Sequence, residues 1–499
     1  MNIRSLANGS DVRGIAIEGV PGEHVNLTPE AASLIAESFS RWLGKKHHKK
    51  TTELRIGVGH DSRITADAIG IGVFSGLASM GVKVYDCGLV STPSMFMTTV
   101  FPEFAFDGSI MITASHLPYN RNGLKFFDRD GGLEHEDIDA ILADVKEPHP
   151  GLPDLSLVSK ADTLSVYCAH LRDTIRKGVG AGEGELPLKG LHVVVDAGNG
   201  AGGFFAKEVL DPLGADTSGS QFLEPDGMFP NHIPNPENKQ AMESIRSAVL
   251  ANHADLGIIF DTDVDRMSCV LPDGNEVNRD KIIAMMAAIL AKDYPGGTIV
   301  TDSVTSDRLT RFIEGRLGMH HLRYMRGYKN VINKQIELNK AGIVTPLAIE
   351  TSGHGALSEN YYLDDGAFMA VKILIALALA KKEGRALASY IEDLPDGFEE
   401  REYRFRITAE DFRSYGKEVL AAFEERARAE GWYVVPNSYE GIRLSFDDEN
   451  LKGWLLLRVS LHDPQMPLNI EGARPGDCDR MLALVKHLLE GFDGLSASF

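Results

Sequence analysis

The chain alternates short apolar runs with longer amphipathic segments, and several of the apolar runs stop at an aspartate followed by small or polar residues. The segments Leu54–Arg63, Leu191–Gly198 and Gly297–Ser303 share this form, and a helix-like pattern follows each of them. Short β-rich runs that alternate with helical patterns are typical of parallel or mixed sheets with crossover helices. The repetition therefore predicts similar α/β units in succession.

Toward the C-terminus the pattern changes. A strand is predicted at Arg404–Thr408 and a helix at Phe412–Glu430, after a boundary at Asp393–Glu400. Another boundary is predicted at Pro148–Pro153. The chain has 499 residues, of which 43% are apolar, and domains usually contain roughly 100–200 residues. Three or four domains are therefore expected.

The first candidate for chemistry is the segment Thr113–Gly123, which follows the apolar run Ser109–Ile112. A strand that ends in small residues presents the next side chains at the end of the sheet, where α/β proteins bind ligands. Ser115 lies there, with His116 beside it and Lys125 downstream. A serine hydroxyl becomes nucleophilic when a base, a cation or a metal activates it. The alternative is an ordinary strand-to-loop junction with a capping serine.

A second candidate is the acidic turn Asp261–Arg266, which follows the apolar run Leu256–Phe260. Its carboxylates are those of Asp261, Asp263 and Asp265. Carboxylates at alternating positions repel one another unless a cation neutralises them, and such hard oxygen ligands suit Mg²⁺. An EF-hand would need glycine and glutamate where this chain has Arg266 and Pro272. The pattern favours a magnesium site, with Arg266 able to hold a phosphate, over a solvated acidic turn.

A third candidate is the segment Glu350–His354, which follows the apolar run Val344–Ile349. Glu350 and Ser352 can hydrogen-bond sugar hydroxyls, and the glycine after them permits a close approach of the backbone. His354 can move a proton near neutral pH. Taken alone, this composition is common in loops.

Composition limits the partners. The formal net charge of −20, from 71 acidic and 51 basic residues, argues against nucleic acid. No run reaches the roughly 18 apolar residues of a membrane span, and the first residues lack the apolar core of a signal peptide. The cysteines show no C-x-x-C spacing, which predicts free buried thiols in a cytoplasmic protein. They are Cys87, Cys168, Cys269 and Cys478.

In order and in type, the three candidate segments resemble the phosphoserine, metal and sugar-binding loops of the α-D-phosphohexomutases, the phosphoglucomutases and phosphomannomutases. Asp11–Gly14 is similar to the family's opening motif, whose arginine (Arg13 here) meets the substrate. Val195–Gly202 and Glu224–Asn231 are similar to stretches of the family's second domain. The resemblance implies an α/β fold of four domains around a central cleft, three similar mixed-sheet domains and a smaller α+β C-terminal domain. The implied boundaries are 1–152, 153–276, 277–396 and 397–499.

The resemblance also implies a mechanism. Ser115 would carry a phosphoryl group and complete a Mg²⁺ site with the three aspartates. The phosphoserine would phosphorylate a hexose phosphate, and the resulting hexose 1,6-bisphosphate, which also serves as activator, would turn and return its other phosphoryl group. The catalytic positions would be Ser115, His116, Lys125, Arg13 and His354. Which of His116, Lys125 and His354 acts as acid and which as base stays open.

The resemblance implies a set of substrate contacts, some of them in a fourth-domain loop that departs from the family. They are Arg266, Gly327, Lys329, Glu350, Ser352, Arg458, Ser460 and His462. The family's phosphate loop has the form R-P-S-G/N-T-E-P, whereas Arg458–Pro464 reads R-V-S-L-H-D-P, and Pro467 stands where a later arginine is usual. The lost donors are expected to weaken binding of the phosphate that is not transferred, unless His462, Arg443 or Arg474 replaces them.

The sequence thus predicts a Mg²⁺-dependent mutase for the 1- and 6-phosphates of glucose or mannose, acting as a monomer or homodimer. One alternative is a phosphoglucosamine mutase, although those enzymes usually begin with G-T-D-G-I-R-G where Gly9–Gly14 reads G-S-D-V-R-G. The others are a non-catalytic sugar-phosphate-binding protein on the same scaffold and a serine phosphatase.

Overall fold

The computed structural model describes residues 2–147, 149, 152–460 and 463–498. The chain divides into two compact units. Unit 1 comprises Met1–Asn278 with Ser352–Ser389, and unit 2 comprises Arg279–Thr351 with Tyr390–Phe499. The predicted boundary at Pro148–Pro153 falls partly on residues outside the described ones, and the four predicted domain limits stay predictions.

Unit 1 begins with a mixed sheet. Its strands, in spatial order, are Ala7–Asn8, Asp11–Ile15, Arg121–Asp128, Gly108–Ile112, Arg55–His60, Lys83–Leu89 and Val158–Lys160, with Gly131–Gly132 beside Arg121–Asp128. Pairing is antiparallel up to Gly108–Ile112 and parallel beyond it. The accompanying helices are Pro29–His47, Ala66–Ser79, Thr92–Val100 and His135–Ala143. A continuous apolar core lies between this sheet and its helices.

A second sheet of unit 1 is also mixed. Its strands, in spatial order, are Glu276–Val277, Met267–Val270, Leu256–Phe260 and Val193–Asp196, of which the last two are parallel. Unit 1 also contains the helices Leu164–Val179, Lys239–Asn252 and Gly366–Lys382, the π-helix Phe205–Leu210, and an antiparallel hairpin of Gly355–Leu357 with Leu363–Asp364. Every residue of Leu256–Phe260 is buried, as expected for a central strand covered on both faces.

Unit 2 contains two kinds of sheet. The first is parallel and consists of His320–Arg323, Thr298–Thr301 and Leu347–Ile349, with the helices Asp280–Leu290, Asp307–Arg311 and Tyr328–Lys340 and the π-helix Phe312–Arg316. The second is antiparallel and consists of Ile442–Asp447, Lys452–Leu457, Gln465–Gly472, Glu399–Ile407 and Leu495–Ser498, with the helices Phe412–Ala429 and Asp477–Leu488. The expected α/β class with a smaller α+β C-terminal part is confirmed.

Two local predictions need adjustment. The strand predicted at Arg404–Thr408 begins earlier, at Glu399. Its first half is mostly charged, and the hydropathy pattern therefore did not indicate a strand there. The apolar run Val344–Ile349 yields a strand only at Leu347–Ile349, and Val344 is 55% exposed.

The four cysteines are buried and free, as predicted, and burial raises the pKa of the Cys269 thiol to about 12. Within the described part of the chain, no helix has both the length and the hydropathy that a membrane span requires.

Candidate active site

Ser115 lies in the loop that begins where the strand Gly108–Ile112 ends. The Ser115 backbone N–H donates a hydrogen bond to the Thr113 hydroxyl at 2.9 Å, a local contact that turns the chain away from the strand. Ser115 has a φ of 50°, a left-handed conformation that is uncommon outside glycine and that clusters at functional sites. The turn leaves Ser115 buried, with 1% of its surface exposed.

The aspartates of the acidic turn follow the strand Leu256–Phe260. They are Asp261, Asp263 and Asp265, all buried, and one carboxylate oxygen of each lies within 4.8 Å of the others. A neighbouring loop supports this turn, since the Ala201 N–H donates to the Thr262 carbonyl at 2.8 Å. Gly200 makes the approach possible, because a Cβ there would lie 2.6 Å from the Thr262 carbonyl oxygen.

The serine and the aspartates form one site. The Ser115 hydroxyl donates to Asp261 Oδ2 at 3.0 Å, and His116 Nδ1 lies 3.3 Å from Ser115 Oγ. Burial, together with the charges of Asp265 and Asp263, raises the pKa of Asp261 well above its usual value. The structure thus brings together the two segments that the sequence singled out for phosphoryl chemistry.

Lys125 joins this site from the strand Arg121–Asp128. Its ammonium lies 3.0 Å from Asp263 Oδ2 and 2.5 Å from Asp265 Oδ2. Burial would raise the pKa of Asp265, but the charges of Lys125 and His354 outweigh burial and hold this pKa below its usual value. Lys125 therefore provides positive charge next to the carboxylates.

The donor set fits a hard divalent cation. Asp263 Oδ1 and Asp265 Oδ1 are buried, and no hydrogen-bond donor reaches either atom within the described residues. Buried carboxylate oxygens without donors are costly unless a cation neutralises them. Oxygen-only ligands of this kind are typical of Mg²⁺ rather than of softer metals. The acidic cluster can thus hold a metal ion beside Ser115.

Arg266 contacts the acidic turn and is itself hydrogen-bonded to His354. The Arg266 N–H donates to Asp261 Oδ1 at 3.2 Å, and Arg266 Nε donates to His354 Nε2 at 2.7 Å. The other ring nitrogen of His354 is hydrogen-bonded to Asp364. Both imidazole nitrogens of His354 are hydrogen-bonded, and the ring therefore orients the Arg266 guanidinium. The proton transfer predicted for His354 would require these contacts to break.

Two basic side chains lie near His116. Burial, reinforced by the positive charges of Arg266 and Arg13, lowers the pKa of His116 to about 3. The imidazole is therefore neutral near pH 7. Arg13 lies on the strand Asp11–Ile15, opposite Gly123, and its Nη2 is 3.0 Å from Asp11 Oδ2.

In unit 2 two of the predicted substrate contacts, Glu350 and Gly327, meet. Glu350 is buried and accepts a hydrogen bond from the Gly327 N–H at 2.7 Å. Gly327 has a φ of 109°, and Lys329 is half-buried near the start of the helix Tyr328–Lys340. Ser352 belongs to unit 1 and is buried, and its hydroxyl lacks a hydrogen-bond partner within the described residues.

The fourth-domain residues are partly committed to internal contacts. Arg458 Nη1 lies 3.2 Å from Glu440 Oε1, and the Ser460 hydroxyl accepts from the Asp463 N–H at 3.2 Å. His462 and Leu461 lie outside the described residues.

Two of the proposed replacement donors are engaged elsewhere. Arg443 is buried and donates to Asp307 Oδ1 at 2.8 Å and to the carbonyls of Ser303 and Thr305. Arg474 donates to the Glu449 carbonyl at 2.7 Å. Arg443 is thus fully buried among internal acceptors, whereas the Arg474 side chain is 37% exposed, and its role as a replacement donor stays a prediction.

Several contacts were not predicted from the sequence. Thr92 donates from its hydroxyl to Asp263 Oδ2 at 2.5 Å and from its N–H to the Asp263 carbonyl at 2.9 Å. Asp364, which is hydrogen-bonded to His354, follows the sugar-binding segment in the sequence, and this position is the signal that could have found it. Asp61 and Arg63, described below, follow the first repeated apolar run, and that position at a strand end was the available signal.

Comparison with known proteins agrees with this geometry. Models of phosphoglucomutase/phosphomannomutase α/β/α domains I, II and III match residues 4–150, 167–274 and 278–398. A phosphomannomutase/phosphoglucomutase of Pseudomonas syringae is 28% identical over 445 residues, which is 88% of each chain. A probable phosphoglucosamine mutase of Methanopyrus kandleri is 29% identical over 465 residues, 91% of this chain and 92% of that protein.

The fold has a counterpart among crystal structures. A phosphoglucomutase/phosphomannomutase family protein of Burkholderia thailandensis aligns with a TM-score of 0.78 and 24% identity over 99% of both chains. The chain belongs to the phosphoglucomutase/phosphomannomutase family of α-D-phosphohexomutases and is an intramolecular phosphotransferase.

Proposed function

We propose that this enzyme interconverts the 1- and 6-phosphates of glucose and mannose through a phosphoserine at Ser115. The observation that carries the proposal is the 3.0 Å hydrogen bond from the Ser115 hydroxyl to Asp261, inside a buried cluster of carboxylates. A serine in this position has, beside the atom that would accept the phosphoryl group, a carboxylate cluster that can hold a cation. The names of the curated relatives support the same reaction.

Asp261, Asp263 and Asp265 would hold Mg²⁺ together with an oxygen of the phosphorylated Ser115. The bound ion would neutralise charge on the transferred phosphoryl oxygens. Lys125, Arg13 and Arg266 add positive charge from the protein itself, and phosphoryl transfer depends mainly on such charge and on positioning.

In the proposed forward step, the bond between Ser115 Oγ and phosphorus breaks while a hexose hydroxyl oxygen bonds to phosphorus. The hydroxyl proton passes to a base, and the serine oxygen takes up a proton. His116 and Lys125 are the candidates for these transfers. The hexose 1,6-bisphosphate then turns and returns its other phosphoryl group to Ser115, so that added bisphosphate acts as an activator.

For the sugar, we assign hydroxyl recognition to Glu350 and Ser352, with Gly327 and Lys329 in the adjoining segment. The expected contacts are to the 3- and 4-hydroxyls, which glucose and mannose share. Contacts to the phosphate that is not transferred fall to residues of the divergent loop: Arg458, Ser460 and His462. The similarity to the probable phosphoglucosamine mutase of Methanopyrus kandleri supports an amino sugar phosphate as the second candidate substrate.

The proposal is tested by coupled assays of glucose 1-phosphate, mannose 1-phosphate and glucosamine 1-phosphate with Mg²⁺ and the matching bisphosphate. Ser115→Ala is expected to abolish turnover, whereas Ser79→Ala, which removes a hydroxyl bonded within a helix of the same unit, should leave the rate unchanged. Turnover that persists in Ser115→Ala would refute the phosphoserine mechanism. Turnover of glucosamine 1-phosphate alone would establish the second candidate.

A further inference from the structure

A buried arginine outside the predicted site holds the backbone of the Ser115 loop. Arg63 is 2% exposed, and its guanidinium donates to four backbone carbonyls. Nη2 contacts the carbonyls of Ser115 at 2.5 Å and Leu117 at 2.6 Å, and Nη1 contacts those of Pro118 and Arg121 at 2.8 Å each.

The four acceptors cover the part of the chain where the chemistry is proposed. They run from Ser115 itself to Arg121, the first residue of the strand that carries Lys125. The planar guanidinium of Arg63 therefore connects the backbone of Ser115, the proposed nucleophile, to the strand that carries Lys125. A guanidinium has five N–H donors in a fixed fork, whereas a lysine ammonium is a point charge with three donors.

Asp61 completes the arrangement. Its Oδ2 lies 3.5 Å from Arg63 Nε and accepts a hydrogen bond from the Thr113 hydroxyl at 2.6 Å. That same hydroxyl accepts from the Ser115 N–H. The conformation of Ser115, with its φ of 50°, is thus held on both sides, by Thr113 at its N–H and by Arg63 at its carbonyl.

A loop of the same unit covers this arrangement. The Phe229 ring lies over the Arg63 guanidinium at 5.4 Å, and Gly227 approaches so closely that a Cβ would lie 2.4 Å from the Ile64 nitrogen. The hydrogen bonds are therefore shielded from water, which strengthens them.

We propose that Arg63, with Asp61 and Thr113, is a positioning group that fixes Ser115 Oγ for phosphoryl transfer. This inference rests on the proposed function. Arg63 touches backbone rather than substrate, so its loss should change the chemical step more than substrate binding. A displacement of about 1 Å at a reacting atom can cost about 100-fold in rate.

The test compares Arg63→Lys with the wild type and with Arg41→Lys. Arg41 is a matched control, since it donates to the carbonyl and carboxylate of Asp144 elsewhere in unit 1. We expect Arg63→Lys to lower kcat by about 100-fold with KM changed by less than about threefold. Phosphorylation of Ser115 by the bisphosphate, followed by intact mass, should slow in parallel, and amide exchange at residues 113–121 should rise. Arg41→Lys should keep wild-type kcat.

An Arg63→Lys enzyme with wild-type kcat, or with only a raised KM, would overturn the inference. If Arg63→Lys does not fold, the nearly isosteric Thr113→Val decides, with a fall in kcat of about tenfold expected and an unchanged kcat contradicting the inference. Inactivity of the wild type on every hexose phosphate would instead count against the proposed function.

Discussion

At the scale of single residues, the site is a balance of buried charges. The carboxylates of the acidic turn lie in one cluster, and Lys125 contacts two of them. One ammonium leaves a surplus of negative charge, and two carboxylate oxygens have no donor within the described residues. A divalent cation would neutralise the surplus, which explains why acidic residues are tolerated at full burial.

Asp263→Asn should therefore weaken Mg²⁺ binding. The carboxylate charge is lost while the side-chain shape is kept, and we expect the Mg²⁺ concentration for half-maximal mutase rate to rise at least about tenfold. The measurement is the rate as a function of Mg²⁺, with isothermal titration as a second readout. The control Asp273→Asn removes a carboxylate from an exposed turn. An unchanged Mg²⁺ dependence in Asp263→Asn would argue against the assigned ligand set.

Sequence reasoning reached Ser115 and the aspartates because each follows an apolar strand and has a recognisable composition. It missed Arg63 and Thr92, whose partners lie 52 to 171 positions away along the chain. Only the pairing of Arg55–His60 with Gly108–Ile112 brings the Arg63 segment to the serine loop. The strand-end position of Arg63 is a local signal. The long-range pairing that determines which groups it contacts is not visible in the sequence.

At the scale of elements, the site depends on loops at strand ends that support one another. The turn that carries the aspartates is held by the loop after Val193–Asp196, through Ala201 and the side-chain-free Gly200. In the sequence this glycine-rich stretch, Val195–Gly202, is recognised only by its similarity to the family's second domain, and no contact with the acidic turn is predicted. Its contact with Thr262 connects the two.

Gly200→Ala should push the acidic turn out of place, because the new Cβ would lie 2.6 Å from the Thr262 carbonyl oxygen. We expect a lower kcat and a higher Mg²⁺ concentration for the half-maximal rate, with destabilisation of about 1–3 kcal/mol from overpacking. Kinetic assays across Mg²⁺ concentrations and urea unfolding would measure both. Gly315→Ala is the matched control, since among the described residues no atom outside the adjoining backbone lies within 4 Å of a Cβ there. Wild-type kinetics in Gly200→Ala would show that the loop does not position the metal ligands.

The buried carboxyl group of Asp365 caps the helix Gly366–Lys382 and makes the stability of the folded protein depend on pH. Asp365 caps the helix by accepting from the Phe368 N–H at 2.8 Å and also accepts from the Tyr167 hydroxyl at 2.7 Å. Burial raises the pKa of Asp365 from 3.8 to about 6. Folding therefore favours the protonated carboxyl, and this stabilisation, present below about pH 4, is lost as the pH rises through 6.

Asp365→Asn should remove that pH dependence. Relative to the wild type, its unfolding free energy is expected to rise by about 2 kcal/mol between pH 4 and pH 7. Urea unfolding at both pH values measures the difference, and Asp67→Asn at an exposed position serves as control. Parallel pH profiles for Asp365→Asn and the wild type would contradict the pKa assignment.

Element prediction succeeded where strands are buried on both faces and less well where they are polar. Gly108–Ile112 and Leu256–Phe260 are continuous apolar runs and were located from the sequence. The first half of Glu399–Ile407 consists mainly of charged residues. This part of the strand is stabilised by backbone pairing with Gln465–Gly472 rather than by burial of apolar side chains. Hydropathy alone therefore placed its start too late.

At the scale of the whole molecule, the acidic composition and the anionic substrate are compatible. The formal charge of −20 is a property of the entire chain, whereas basic side chains gather where phosphate chemistry is proposed. Arg13, Lys125 and Arg266 all belong to unit 1 and accompany the Ser115 site. Local charge, rather than net charge, governs binding of an anionic group.

The central claim is that Ser115 transfers its phosphoryl group to a sugar phosphate rather than to water. The most direct measurement is a single-turnover experiment in which enzyme labelled with radioactive phosphate by a hexose 1,6-bisphosphate is mixed with glucose 6-phosphate and Mg²⁺. The account predicts that the label leaves Ser115 and appears in glucose 1,6-bisphosphate. Label that appears in inorganic phosphate, or that stays on the protein, would contradict it.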